Sequence, residues 1–397
     1  MVAEISLDIL KGIGMFFLHP LVYIAFLFMI FIGVKRVKRE RENFNTRVFD
    51  VIEDVVNPLL PSILAGLGVT ILLVAGGLVF PFEWLVLVAA VYILLSCTLQ
   101  PRLASPSFAI GISILLAITL TYVEIGITFI DVLSTQVDAI VLRNAVILLV
   151  VLVIVEGLLI RYKGGKRTSP RLLESKRGKL MGSHESKKLW VVPVGFFLPN
   201  GVIPSYEAWP LLTVGGEEGF SFILVPFLIG FQQLVRSTLP HEQIEKVGLR
   251  VVGFGILLSA FAIGSSFYSW LIPITAVIAI VGREALTAFH RVREESQQSC
   301  FSLRENGLVI LGIIPRSPAE KMSLQVGEVI MKVNGIPVTN EYNFYEALQK
   351  NSAFCKLDVV DSAGEVRFAQ TALYDGEHHQ IGVLFTKEDY VLQDSVV

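Results

Sequence analysis

A succession of apolar runs, each about 17–25 residues long, constrains this chain most, because a helix of that length crosses the hydrocarbon core of a bilayer. The runs lie near 13–34, 61–80, 83–99, 107–130, 144–160, 189–212, 219–235, 247–264 and 267–282. Few charges interrupt them. Of the 397 residues, 17% are charged and 53% hydrophobic, with a mean hydropathy of +0.65. A soluble domain carries about 25% charged residues. One water-soluble core is therefore excluded, since much apolar surface would face solvent. Disorder is excluded because so much surface is available for burial. The expected architecture is an α-helical polytopic membrane bundle over 1–283, with about 7–9 spans.

The run 189–212 differs from the others. It carries Pro193, Pro199, Pro204 and Pro210, and Asn200-Gly201 reads as a turn. It is either a crossing or a broken, re-entrant segment. Non-helical backbone at membrane depth needs protein or water around it. If the run does not cross, the spans that follow must be recounted.

Basic residues set the expected orientation. Lys35, Arg36, Lys38, Arg39 and Arg41 follow the first run, and 161–188 is rich in Lys and Arg, so loops 35–60 and 161–188 are expected in the cytoplasm. The stretches holding Asp131 and Asp138, and Glu217 and Glu218, carry no Lys or Arg and are expected outside. These assignments agree if 189–212 crosses, which puts the N-terminus outside and the C-terminus inside. Only Lys11 precedes the first run, which is expected to remain as an anchor rather than to be removed as a signal. Three cysteines, Cys97, Cys300 and Cys355, argue against a disulfide framework.

From Arg283 the chain turns polar. Residues 284–299 read as a helical stalk continuing the last span, 300–386 as a small α+β domain, and 387–397 as a flexible tail. Within 300–386, Leu308 to Ile314 is strand-like, and Ser317 and Pro318 mark a helix N-cap and first position. Val329 to Val333 is a strand followed by the tight-turn pair Asn334-Gly335. Asn340 can cap a second helix.

Ser317-Pro318-Ala319, Gly327-Glu328-Val329-Ile330 and Val333-Asn334-Gly335 stand in the order and spacing of a bacterial PDZ domain, which this stretch resembles. Met322-Ser323-Leu324 replaces the usual Ala-Gly-Leu, and Glu328 the usual Asp. The resemblance implies a β-barrel-like sheet with two helices that binds peptides by adding a strand to a sheet edge. It also implies that the apolar-Gly-apolar stretch Ile381-Gly382-Val383-Leu384-Phe385 is the carboxylate loop and docking edge, with a loop near 304–307 as the alternative. His378 and His379 read as surface residues. The terminal Asp394-Ser395-Val396-Val397 has the form of a PDZ ligand, which leaves self-association open beside a plain solvated tail.

Enzymatic and transport readings fare worse. A membrane metalloprotease needs His-Glu-x-x-His on a helix. The nearest stretch, His241-Glu242-Gln243-Ile244-Glu245, ends in Glu. A rhomboid-type serine protease would have only Gly264-Ser265-Ser266 and His19 to draw on. Gly164-Gly165-Lys166-Arg167-Thr168 lacks the first P-loop glycine, Ile160 standing there. Transport would lean on Glu124 or Glu156, with Arg143, Arg236 and Arg250 near span ends and a broken helix at Pro199-Asn200-Gly201. No cofactor or metal is implied. Nucleic acid is not an expected partner, because aromatic residues barely interleave with the basic run.

The whole layout resembles the MinJ family of Firmicute cell-division topological determinants. The matching features are the Phe17-Leu18-His19-Pro20 span, the basic cluster after it, Thr46-Arg47-Val48-Phe49-Asp50, and a terminal PDZ-like stretch. That resemblance implies an adaptor at septum and poles. It would bridge DivIVA to MinD, which works with MinC, and restrict division to mid-cell.

Overall fold

The computed structural model describes residues 2–122, 137–174, 178, 180–204, 219–302, 304, 306–351, 353–373 and 381–386. The first apolar run is two helices, α1 (Val2–Leu18) and α2 (Pro20–Phe44). His19 separates them. Its backbone is extended, Pro20 opens α2, and the imidazole Nδ1 accepts the Leu21 N–H at 3.2 Å. The histidine inside the run thus caps α2.

The membrane helices continue as α3 (Val51–Gly76), α4 (Phe82–Ser96), α5 (Pro106–Leu120), α6 (Ala139–Leu159), α7 (Pro240–Ser265) and α8 (Leu271–Ser296). A 3₁₀ turn (Pro101–Ala104) joins α4 to α5, and a π turn (Ile160–Gly164) ends α6. Of these, α2, α3, α6 with its π turn, α7 and α8 are long and apolar enough to cross a bilayer, which makes this a multi-pass membrane protein. α4 and α5 are shorter apolar helices. α8 continues unbroken through the polar stretch expected as a stalk, to Ser296.

The runs 189–212 and 219–235 correct the expectation of further helical spans. In the described residues they form strands β2 (Leu180–Ile203) and β3 (Phe220–Val235), with the short β1 (Ser169–Glu174) paired to the base of β2. The 161–188 stretch is likewise no free loop but the π turn, β1 and the foot of β2. β2 and β3 run antiparallel from His184↔Val235 to Pro199↔Phe220. Asn200-Gly201 is a bulge rather than a hairpin end. Asn200 has φ 65°, the register shifts between Pro199 and Ile203, and Gly201 N–H reaches Gly219 O at 2.7 Å.

The physical reason is twofold. A proline inside a helix costs about 3 kcal/mol, and this stretch carries Pro193, Pro199 and Pro226 among β-branched and aromatic residues. The bundle also surrounds the hairpin on both faces. Trp190, Val192, Val194, Phe196, Phe227, Leu228 and Ile229 are all buried with the helices in one core. Strands buried on both faces lose the in–out alternation, so periodicity does not distinguish them from helix.

A hairpin in such a place must satisfy its two outer edges. On the β2 side, Gly195 N–H donates to Thr70 Oγ1 (2.8 Å) and Phe197 O accepts Phe80 N–H (3.0 Å). On the β3 side, Asp8 of α1 accepts Phe222 N–H (2.9 Å) and Ser221 Oγ–H (2.8 Å). Close approach depends on glycines. A Cβ on Gly66 of α3 would lie 2.2 Å from Pro193 O, and one on Gly230 of β3 would lie 1.7 Å from Pro101 O.

Charged residues gather at the other end of the hairpin. Arg36 bonds Glu40 and Asp54, each at 2.9 Å, and Glu40 accepts Val48 N–H and Ser169 Oγ–H. Glu185 on β2 pairs with Arg39 of α2, and with Lys187 at 3.1 Å. α2, α3, β1 and β2 are thereby locked together at their basic end.

After α8 comes a separate antiparallel sheet of β4 (Leu308–Ile313), β5 (Val329–Val333), β6 (Ile336–Pro337), β7 (Phe354–Val360), β8 (Val366–Ala372) and β9 (Val383–Phe385). The order is β8-β7-β5-β4-β9, with β6 on β5. Two helices accompany it, α9 (Pro318–Lys321) and α10 (Glu341–Gln349). Asn340 caps α10, accepting Asn343 N–H at 2.8 Å.

Candidate functional site

Two stretches that the sequence reading singled out, 317–319 and 381–385, meet in the fold. Ala319 N–H donates to Ile381 O (3.0 Å), and Ile314 N–H to Gly382 O (2.8 Å). Gly382 has φ +87°, a region open to glycine. A Cβ there would also lie 2.3 Å from the Ser317 Cβ. Ser317 occupies the N-cap position of α9, but its hydroxyl makes no capping bond, contrary to the cap expected from sequence. Pro318 stands at the first helical position as expected.

Gly382 leads into β9, the last strand of the sheet. One edge of β9 pairs with β4, and among the described residues no strand pairs with its other edge. Val383 and Phe385 join the core of the C-terminal sheet with Ile381, and the Phe385 ring meets Phe344 of α10 at 5.0 Å between centroids. Leu384 points to the opposite face. The arrangement is a short edge strand beside a helix, entered through a left-handed glycine.

The other signature residues lie elsewhere and shape the fold. Gly327 (φ +93°) turns the chain into β5, its N–H bonded to Ile310 O at 2.8 Å. Asn334 and Gly335, both left-handed, form the β5–β6 turn, and Asn334 Oδ1 accepts Lys356 N–H from β7 (2.9 Å). Glu328 is buried and takes a forked pair of bonds from Arg367 (2.8 and 2.7 Å). The longer acid reaches β8, where a bidentate guanidinium bond is available.

Sequence reasoning missed that this sheet is docked on the membrane part. Phe44 and Val48, from the end of α2 and the turn after it, share a buried cluster with Phe301, Val309, Leu311, Val329 and Leu384. Gly182, at the foot of β2, donates its N–H to Phe301 O (3.1 Å), which also accepts Thr386 Oγ–H (3.0 Å). A Cβ on Gly182 would lie 2.5 Å from Leu311 Cδ1. Glu294 near the end of α8 accepts Arg236 N–H (2.9 Å) and Ser237 Oγ–H (2.9 Å), pinning that helix to the end of β3. His184 sits in the seam. Its Nδ1 lies 2.9 Å from Thr168 Oγ1, its ring is 5.1 Å from that of Phe301, and burial lowers its pKa to about 4, so it is neutral. No periodic pattern marks these contacts, since each comes from a different element.

Several of the residues considered for transport or catalysis are held by partners within the protein. Glu156 is fully buried on α6 and bonded to Arg283 of α8 (2.9 Å) and to Ser105 Oγ (2.6 Å). His241 lies in the first turn of α7, and Glu245 pairs with Arg161 at 3.3 Å. Arg250 contacts His290 at 3.2 Å. Glu124, Asp131, Glu217, Glu218, His378, His379 and the terminal Ser395-Val396-Val397 lie outside the described residues.

No family model matches the chain. It is 34% identical over 385 residues to the cell division topological determinant MinJ of Bacillus subtilis (strain 168), covering 97% of this chain and 96% of that protein. It is 26% identical over 251 residues to the probable cell division topological determinants MinJ of Lacticaseibacillus paracasei and Lacticaseibacillus casei (strain BD-II), covering 62% of this chain and 66% of each relative. The Bacillus likeness runs through the helices, the hairpin and the C-terminal sheet alike, and the chain belongs to the MinJ family of cell-division topological determinants.

Proposed function

We propose that the chain is a non-enzymatic, membrane-anchored adaptor of division-site selection. In this reading it bridges DivIVA to MinD, and through MinD to MinC, at septum and poles. The end-to-end likeness to MinJ carries the reading. The basic end, with the C-terminal sheet docked on it, faces the cytoplasm, in keeping with the excess of Lys and Arg there. Residues 300–386 act as a PDZ-type module. A partner's C-terminal segment adds to the free edge of β9 beside α10, with the backbone around Gly382 holding its carboxylate. The adaptor reading also accords with Glu156, Arg250 and Glu245 all being held by partners inside the protein.

A fluorescent fusion in Bacillus subtilis lacking its own MinJ tests this. The expected result is signal at septa and poles, with mid-cell division restored. Uniform membrane signal without rescue overturns the division role. The groove is tested by the double variant Gly382→Ala/Ser317→Gly, in which the serine side chain is removed to make room. It should stay folded and membrane-bound but capture less of one partner; undiminished capture of both DivIVA and MinD overturns the groove.

A further inference from the structure

α2 carries one stripe that changes character along its length. Ile30, Val34, Lys38 and Arg41 recur at intervals of four, four and three and so share a helix face. The first two are exposed and apolar, the last two exposed and basic. The stripe spans about 16 Å at the rise of an α-helix, comparable to half the hydrocarbon core. Ile52 of α3 forms an exposed facing wall and Arg47 joins the basic rim, so that α2, α3 and the turn between them enclose a groove of about 1020 Å³.

The charges of this end are not equivalent. Arg36 and Arg39 are consumed by buried partners, Glu40, Asp54 and Glu185. Lys38 lies 4.0 Å from Glu42 on the surface, and Arg47 lies 2.6 Å from Asp50. Among the residues lining the groove, Lys38, Arg41 and Arg47 stand against the carboxylates Glu42 and Asp50, which leaves the rim net positive. Its apolar half belongs to two helices long enough to span a bilayer, and faces outward from the bundle.

We propose that this groove is a binding site for an anionic phospholipid. An acyl chain lies along Ile30, Val34 and Ile52, and the phosphate is held by Lys38, Arg41 and Arg47. A free anion would use the rim but leave the apolar walls unused, and a zwitterionic lipid would use the walls but bring no net charge to the rim. The site is independent of the β9 edge, so its failure would leave the adaptor reading untouched.

The test uses the full chain in detergent, with phosphatidylglycerol, phosphatidylcholine and inorganic phosphate as probes. Lipid retention is read by native mass spectrometry and stability by the thermal midpoint. Phosphatidylglycerol should be retained in preference to phosphatidylcholine, and Lys38→Gln/Arg41→Gln should cut that retention by about fivefold for each charge removed. Lys163→Gln/Lys166→Gln removes the same charge from the same end outside the groove and should leave retention near wild type. Equal losses in the two variants would mean diffuse surface attraction and overturn the site. So would unchanged retention in the first variant, or a thermal shift with inorganic phosphate alone that equals the lipid's.

Discussion

Pro193 and Pro226 lie directly opposite one another in the register of β2 and β3. Neither has an N–H, so this pair cannot exchange bonds across the ladder and occupies a non-bonded position. Donors at such positions face outward, away from the partner strand. Gly195, two residues along the same edge, shows this by donating to Thr70 of α3. The two prolines therefore remove two outward donors from a hairpin wrapped in apolar helices, where each unsatisfied group costs several kcal/mol.

α3 should be intolerant of side chains at the position facing that edge and indifferent two residues on, at the opposite face of the helix. In Gly66→Val the new Cβ meets Pro193 O, whereas a Cβ on Gly68 meets nothing within 4 Å. Thermal unfolding in detergent should show Gly66→Val destabilised by about 1–3 kcal/mol or more and Gly68→Val close to wild type. Similar midpoints for both variants would mean that the hairpin is not packed on α3 as described.

Glu156 and Arg283 form a buried ion pair between α6 and α8. Removing one partner leaves a charge uncompensated, at a cost of about 3–5 kcal/mol. Glu156→Gln and Arg283→Met should each lower the thermal midpoint sharply. The double variant should be less destabilised than the sum of the two, and additive losses would count against a direct pair.

Docking of the C-terminal sheet should be readable through its cysteines. Burial pushes the Cys300 thiol up to about 11 and the Cys355 thiol up to about 12. In a Cys97→Ser background, both should react slowly with a maleimide. Gly182→Leu, which collides with Leu311, should raise labelling of Cys300 at the seam while Cys355, in the core of the sheet, stays protected. Labelling of both cysteines would indicate unfolding instead of undocking.

His184 makes the seam sensitive to acid. Its pKa is about 4 in the fold, against an ordinary value near 6.5. The unfolded or undocked state binds more protons between those values, so stability rises with pH across that window. The contribution is complete above about pH 6.5, and roughly 1 kcal/mol of it is gone by pH 5.5. Hydrogen exchange of Val309 to Leu311 should accelerate at pH 5.5 relative to pH 7.5, after correction for intrinsic exchange. His184→Phe should abolish that difference, and a persistent difference in this variant would place the sensitivity elsewhere.

Several turns of the C-terminal sheet were legible in the chain because their residues are locally coded. Asn334-Gly335 favours the left-handed turn it forms, Pro318 opens a helix, and Gly382 takes a backbone angle other residues avoid. That 317–319 lies against 381–382 was not legible, since no local rule joins stretches so far apart.

The amino-acid sequence by itself determined that the chain lives in a membrane, that a charged end follows α2, and that strands with two short helices follow the last long helix. These follow from run length, charge and turn residues, which act over a few positions. Tertiary structure alone decided that 189–203 and 220–235 are strands. A doubly buried strand and a buried helix present the same unbroken apolar run. The choice rests on whether neighbours such as Thr70, Asp8, Gly66 and Gly230 can serve or admit the strand edges. It also decided that Glu156 is a pinned structural acid and that the C-terminal sheet is docked rather than tethered. Both depend on which distant side chains the packed bundle brings within reach.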